Sequence, residues 1–421
     1  MVRKILESPI TIFSSIIFGC LAGLYVPNFI KSISFVNDMY IKVLTMVALP
    51  LIICAIIINV RKIFQKKGIL KILVILLLSM MFLSAFLGLG LSSSFESFIK
   101  PNDNSMIVLN KMNDTGIADS FGKLNVYNTD NNVENFKGVT IKDFFINIFP
   151  DNIFAALANN QILQVIIFCI IFGSMLSFVP SKYSQTIISI LEGVYEALYK
   201  FLDAAMVFVP FLLFMTMANI FTDKSMVKLF GLFFNYILVY LIAMFSLILI
   251  AFIFVNIFTG HSITKQIVIM KRTIFTAIGT GSNLATTMVC VEDATKLGMD
   301  KNIVSSVLPI STLLCPIADI AGAALLATFA TIIYDFKLSL SVIIIIAVSS
   351  IFFAISMSSV STLVQVSMLG MIFTPLGLPT TVVVPIFILL GSTLDYVQTF
   401  CSVYTNLAIT SVIDKKMKNK I

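Results

Sequence analysis

The stretch Thr276-Ala277-Ile278-Gly279-Thr280-Gly281-Ser282-Asn283-Leu284-Ala285-Thr286-Thr287 interrupts apolar sequence that runs almost continuously from residue 266 to 413. A second interruption of the same kind, Ser356-Met357-Ser358-Ser359-Val360-Ser361-Thr362, lies further along it. Each is followed by a long apolar segment, 303–334 and 380–413. An apolar hairpin with a Gly/Ser/Thr tip and then a spanning helix, twice over, is the pattern of inverted repeats with re-entrant loops. Non-helical backbone at membrane depth survives only where it is buried in protein or lines a cavity. A site is therefore expected where the two tips meet. Two ordinary helix-to-helix turns, or Ser/Thr packing notches between helices, give the same composition.

Upstream, apolar segments recur near residues 9–28, 37–60, 70–95, 145–179, 185–222 and 226–258. A spanning helix takes about 20 apolar residues, so the chain reads as an all-α polytopic membrane protein. Of its 421 residues 58% are hydrophobic and 12% charged, against about 25% charged in an ordinary soluble domain. That excludes a soluble globular enzyme. The residues 96–144 contain Pro101-Asn102-Asp103-Asn104-Ser105 and Asn128-Thr129-Asp130-Asn131-Asn132 and no run of spanning length. They are expected to form an extracellular polar connector.

The net charge of +7 is a small basic excess for so apolar a chain, and it marks cytoplasmic loops rather than a nucleic-acid surface. Arg61, Lys62, Lys66, Lys67 and Lys71 follow the second segment, and Lys415, Lys416, Lys418 and Lys420 end the chain. Those sides and the Arg3/Lys4 terminus are expected in the cytoplasm, which requires an even number of crossings. Ile10 to Val26 reads as a retained first span rather than a signal peptide, since more apolar chain follows at once. The six cysteines form no C-x-x-C pair and His261 is the one histidine, which disfavours a zinc or iron–sulfur site and a disulfide framework. No G-x-x-x-x-G-K-[ST] occurs, so ATP-driven transport is disfavoured. No nucleophile–base pair is visible, and no enzymatic activity is expected.

Between Lys301 and Asp335 the only charged residue is Asp319, and between Lys337 and Asp414 the only one is Asp395. A carboxylate within a span costs about 3 kcal/mol or more by insertion scales unless it meets water, a partner or a ligand. Each is a functional candidate on that ground, although Asp319 could instead bond a neighbouring helix or lie shallower. A buried carboxylate can hold an ammonium group, coordinate a hard cation or take up a proton. With no lysine or arginine in either segment, the site suits a cation or a zwitterion's amino group better than an acidic side chain.

Three further stretches carry a resemblance: Tyr40-Ile41-Lys42-Val43-Leu44-Thr45-Met46-Val47-Ala48-Leu49-Pro50, Phe149-Pro150-Asp151-Asn152-Ile153-Phe154-Ala155-Ala156-Leu157-Ala158-Asn159-Asn160-Gln161-Ile162-Leu163-Gln164-Val165, and Gly377-Leu378-Pro379. With them the chain resembles, over nearly its whole length, the dicarboxylate/amino acid:cation symporters, to which the glutamate transporters belong. The resemblance implies eight transmembrane helices plus two re-entrant helical hairpins, a homotrimeric scaffold, and a mobile transport domain that moves substrate by an elevator motion. It divides the chain into 1–95 (first three spans), 96–144 (polar loop), 145–258 (spans four to six) and 259–421 (hairpin–span repeats forming the substrate site). It places the protein in the plasma membrane with both termini inside.

The resemblance also assigns residues. Asp395 matches the aspartate that holds a substrate amino group, and Thr399 a substrate-contacting threonine. Gln398 stands where acidic-substrate members have arginine, and Gly281 where arginine is frequent. Ser402 replaces an asparagine, and Asn406 an aspartate that helps bind sodium. Ser282-Asn283-Leu284 corresponds to the first serine-rich tip. Ser358 matches a residue lending a carbonyl to sodium, while Ser361-Thr362-Leu363 replaces the family's Val-Pro-Gly. The family's Asn-Met-Asp-Gly-Thr falls on Cys315-Pro316-Ile317-Ala318-Asp319 without a gap, or on Asp319-Ile320-Ala321-Gly322-Ala323 with a four-residue shift; both registers stay open.

The expected function is cation-coupled symport of a small neutral amino acid. Asp395, Thr399, Gln398, Ser402, Ser282 and Asn283 would hold the substrate, and Asp319, Asn406 and Ser358 a coupling sodium ion or proton. The alternatives are a dicarboxylate or acidic amino acid symporter, or an uncoupled channel or receptor on the same scaffold. No cofactor is expected.

Overall fold

The computed structural model describes residues 9–64, 67–99, 141–159, 161–222, 230–334, 336–357, 369–378 and 383–418. These residues form helices and no strand, the all-α architecture expected. In chain order the helices that matter here are α1 (Pro9–Tyr25), α2 (Pro27–Phe64), α3 (Lys67–Ser94), α4 (Ile141–Asn147), α5 (Ile153–Ala158), α6 (Ile162–Met175), α7 (Ser181–Met206), α8 (Val209–Thr222) and α9 (Phe230–Thr259). They continue as α10 (Ile263–Ile269), α11 (Lys271–Thr280), α12 (Asn283–Lys296), α13 (Lys301–Leu314), α14 (Ile317–Ile333), α15 (Leu340–Met357), α16 (Gly370–Phe373) and α17 (Val383–Lys418). Val74–Ser94, Phe234–Thr259 and Lys301–Ile333 are long and apolar enough to cross a membrane, and Leu49–Arg61, Ile162–Met175 and Leu340–Ser356 are shorter apolar helices.

Proline and capping residues set most of the boundaries. Pro27 stops α1 and starts α2, because a first-turn proline has no N–H to leave unsatisfied. The stretch read as one segment over 145–179 is three short helices. Pro150 cannot continue α4, and Asn152 caps α5 by accepting hydrogen bonds from Phe154 N at 2.9 Å and Ala155 N at 3.3 Å. Likewise 185–222 divides at Val207-Phe208 into α7 and α8, with Pro210 in the first turn of the latter.

Small residues decide which helices approach closely. A methyl group on Gly19 would lie 2.5 Å from the Phe214 carbonyl oxygen, and one on Gly23 2.3 Å from that of Ala218. So α1 and α8 meet backbone to backbone along a G-x-x-x-G stripe. A second stripe, Ser84-x-x-x-Gly88-x-x-x-Ser92, binds α3 to α14. Ser84 Oγ donates to the Ile317 carbonyl at 2.5 Å and Ser92 Oγ to that of Leu325 at 3.2 Å. A methyl group on Gly88 would lie 2.4 Å from the Ala321 carbonyl oxygen. This second stripe fixes the depth of α14, and with it the site.

Candidate functional site

The helix pair α13–α14 is one span broken in the middle. Pro316 has no N–H and disfavours helical backbone in the residue before it; Cys315 accordingly adopts φ −130°, ψ 72°. Breaking the ladder here leaves the Cys315 carbonyl without a helical donor. Asn406 of α17 supplies one, Nδ2 to Cys315 O at 2.8 Å. Its other N–H goes to the Ser402 carbonyl at 2.8 Å. The break thus falls on the first residue of the ungapped register.

Asp319 lies in the first turn of α14 and is 8% exposed. Gln398 Nε2 donates to its Oδ1, and Tyr240 of α9 donates its hydroxyl to Gln398 Oε1. The carboxylate therefore does bond a neighbouring helix, one of the two readings open from sequence. Asp395 precedes Gln398 by three residues on α17, so the helix carries one carboxylate a turn away from the amide that holds the other.

On α17 the residues Gln398, Ser402 and Asn406 repeat every four positions and share a face. That face grips the break at both ends, through Asp319 and through Cys315 O, with buried Ser402 between them. On another face, Cys401 Sγ donates to the Met244 carbonyl at 3.7 Å and Tyr404 donates its hydroxyl to Gln266 Oε1 at 2.5 Å. These contacts fix the rotation of α17 against α9 and α10. Asp395 is half-buried and Thr399, one turn on, is buried.

The first hairpin exists as predicted, formed by α11 and α12 around Gly281-Ser282. Gly281 ends α11 in the left-handed region at φ 57°, which glycine adopts without a Cβ penalty. Ser282 caps α12, its Oγ accepting from Ala285 N at 3.4 Å. The tip reaches α17: a methyl group on Gly281 would sit 3.4 Å from the Tyr396 ring and 3.7 Å from Asp395 Oδ2. Ser282 and Asp395, assigned separately from sequence, are thereby brought to one place. Residues 358–368, including Ser358 and the second tip, lie outside the described residues.

A shared signature joins these elements. Asp319 Oδ2, Ser402 Oγ, Asn406 Oδ1, Asn283 Oδ1 and Thr286 Oγ1 are buried side-chain oxygens without a hydrogen-bond partner. Buried polar atoms are seldom left so; of the eight among the described residues, these five lie on the break, on α17 and on the start of α12, and the Oγ atoms of Ser177, Ser349 and Ser350 lie elsewhere. Oxygens of carboxylate, hydroxyl and amide are what a hard cation or a ligand's N–H and O–H groups require. Sequence reasoning had no access to Tyr240, Thr286 or the Cys315 carbonyl. None of them carries a charge; Tyr240 and the Cys315 carbonyl count only through contacts distant in the chain, and Thr286 only through its buried, unpartnered hydroxyl.

The open end of the hairpin is held by charge, outside the apolar spans. Asp293 is fully buried, and its carboxylate accepts from Arg272 Nε and Nη2 at 3.1 and 2.8 Å, Lys296 Nζ at 2.9 Å and Thr273 Oγ1 at 3.0 Å. Burial pushes this carboxyl upward, but the bonds from Lys296, Arg272 and Thr273 outweigh it and hold it below the ordinary carboxylate value. Next to it, Asp414 accepts from Asp300 N at 2.9 Å and pairs with Lys418 at 2.8 Å. Both arms of the hairpin and the end of α17 are thus tied at the charged end, away from the tip.

Comparison with known proteins follows the same lines. A model of the sodium:dicarboxylate symporter family matches residues 9–416. A protein named C4-dicarboxylate transport protein from Geobacter sp. (strain M21) is 25% identical over 306 residues, covering 71% of this chain and 65% of that relative. Proteins of the same name from Cupriavidus taiwanensis and Burkholderia multivorans are 23% and 22% identical over 307 residues, each with 66% of its length covered. The chain thus matches a little under two thirds of the length of these relatives.

Proposed function

The chain belongs to the sodium:dicarboxylate symporter family, and from that premise we propose that it is a secondary active transporter that carries a small C4-dicarboxylate together with cations. The names of the relatives favour this substrate class over the neutral amino acid expected from Gln398. The observation that carries the reading is the bond from Gln398 to Asp319, a turn after Asp395 on α17, with unpartnered buried oxygens beside it. A dianion entering between two carboxylates meets strong repulsion at low dielectric. Positive charge has to enter with it, as sodium ions or protons, which makes the process symport. Ser402 and Asn406 supply oxygens for such a cation, and the backbone N–H groups at the start of α12 suit a substrate carboxylate.

Elevator-type movement of the hairpin, α13–α14 and α17 against a homotrimeric scaffold in the cell membrane is part of the same proposal. It rests on family membership and on the bonds from α17 to Asp300 N at the start of α13 and to the Gly298 carbonyl at the end of the hairpin.

A second reading, transport of a neutral amino acid, is favoured by one observation. The Gln398 amide is neutral and gives one of its two N–H groups to Asp319, and no lysine or arginine lies between Lys337 and Lys415 to meet a second substrate carboxylate with charge. Reconstituted protein separates the two. Under inward sodium or proton gradients, proteoliposomes should accumulate labelled succinate, and an excess of unlabelled malate or fumarate should compete. Accumulation of alanine or serine but not succinate would select the second reading. Conductance with no accumulation of either would reject coupled transport.

A further inference from the structure

Tyr240 lies on α9, a helix in which the sequence marks no functional residue. Its ring is 4% exposed and its seat is closely built. A methyl group on Gly322 would come within 3.0 Å of Tyr240 Cε2, so the missing side chain of α14 admits the ring. Tyr236 flanks it at 6.4 Å between centroids and itself packs on Phe329 at 4.6 Å. From this fixed ring the hydroxyl reaches Gln398 Oε1, and Gln398 Nε2 reaches Asp319 Oδ1. Three helices, α9, α17 and α14, are joined in one line of hydrogen bonds.

A carboxamide has one acceptor end and one end with two donors. Turned by half, the Gln398 amide would set its oxygen against the Asp319 carboxylate and lose the phenol as a donor. Tyr240 and Asp319 therefore favour the same orientation. One N–H of Nε2 bonds Asp319, and the second projects from an amide that has no rotational freedom left to lose on binding. Groups held in the binding geometry before the ligand arrives cost less ordering entropy.

We propose that Tyr240 is a specificity-determining positioning residue: it locks the Gln398 amide so that the second N–H meets the distal carboxylate of the substrate. The role rests on the transport reading above. It substitutes a neutral, pre-oriented donor for the positive charge absent at positions 281 and 398. It also separates substrates, since a ligand with one carboxylate has nothing for that donor to bind.

The test is ligand binding to purified full-length protein, by thermal shift and by competition for uptake, with succinate and alanine as probes. Tyr240→Phe should weaken succinate binding by about tenfold, the size of one well-made hydrogen bond, and change alanine binding less than about twofold on the same scale. Gln398→Leu should give the same change in the succinate-to-alanine ratio. Adding Tyr240→Phe to Gln398→Leu should change it no further, because coupled residues are not additive. Gly322→Ala, which displaces the ring without removing the hydroxyl, should shift the ratio in the same direction and keeps the test open if Tyr240→Phe folds poorly. An unchanged ratio, or additive effects in the double variant, overturns the role of Tyr240 and leaves the transport reading standing. Failure of the wild type to bind succinate overturns the dicarboxylate reading and this inference together.

Discussion

The side-chain amide of Asn406 donates to the carbonyl of Cys315 at 2.8 Å, across the gap in the broken helix α13–α14. It satisfies a backbone group that Pro316 strands. Replacing Asn406 by Leu removes the donor and should cost about 1–3 kcal/mol, the penalty of a buried carbonyl left unpaired. Asn406→Asp puts a negative charge beside the Cys315 and Ser402 carbonyls, an arrangement that a cation relieves. Sodium, compared with choline, should raise the melting temperature of Asn406→Asp more than that of the wild type. Equal responses would remove Asn406 from the cation site.

Asp395 adjoins the hairpin tip, and its charge is the property the site uses. Asp395→Asn keeps the shape but loses a negative charge that draws a cation in with the dianion, and a charge-assisted contact is worth about 1.5–3 kcal/mol. Uptake should fall by tenfold or more on that scale, while the melting temperature of the ligand-free protein holds or rises. Unchanged uptake would end its assigned role.

Gly281→Ala tests the tip. A non-glycine residue at φ 57° carries a cost of about 1–2 kcal/mol, and its methyl group would lie in contact with the Tyr396 ring at 3.4 Å. Uptake should drop several-fold at unchanged surface expression. Gly279→Ala, where a methyl group meets nothing within 4 Å, should be nearly silent in the same assay.

At the charged end the pH dependence has a definite sign. Asp293 is held below the ordinary carboxylate value, so its stabilisation is present in full above the unfolded-state pKa of about 3.9. It is lost as pH falls through the lower folded-state value. Asp293→Asn should therefore melt below the wild type at pH 6 to 8, with the gap closing as the pH drops under about 4. A gap that does not narrow as the pH falls below about 4 would mean that packing, and not the ion cluster, holds the arms.

Gly88 sits where α3 touches α14. A methyl group there would lie 2.4 Å from a backbone oxygen, which no side-chain rearrangement relieves. Gly88→Ala should cost about 1–3 kcal/mol as an overpacked contact, read as a lowered melting temperature and reduced yield. Gly90→Ala, facing open space on the same helix, is the control.

Much of this was legible before the structure. The small-polar interruption around Gly281-Ser282 read as a hairpin tip, and two helices do meet there. Asp319 and Asp395 stood out because charge is scarce around them. What stayed hidden is instructive in physical terms. Pro50 and Pro309 lie inside helices whereas Pro316 breaks one, and the sequence around the three does not distinguish them. The difference is tertiary, since Asn406 stands ready to pair the freed carbonyl. The split of 145–179 was signalled by Pro150 and Asn152 but lost in the average hydropathy of the stretch. Tyr240 had no local signal at all, because an aromatic in an apolar helix is indistinguishable from core until its hydroxyl is seen to point at Gln398.

The stripe Ser84, Gly88 and Ser92 acts as a splint. Two side-chain hydroxyls and one bare backbone hold α3 against the carbonyl oxygens of α14 over two helical turns, so the broken helix has a straight one lashed along it. All three contacts fall on the α14 side of the break, so a bend at Cys315-Pro316 has to carry α3 along with α14. A spectroscopic label on the outward side of α3, at exposed Phe82 or Phe86, would follow α14 through the proposed transport cycle without touching a residue assigned to the site.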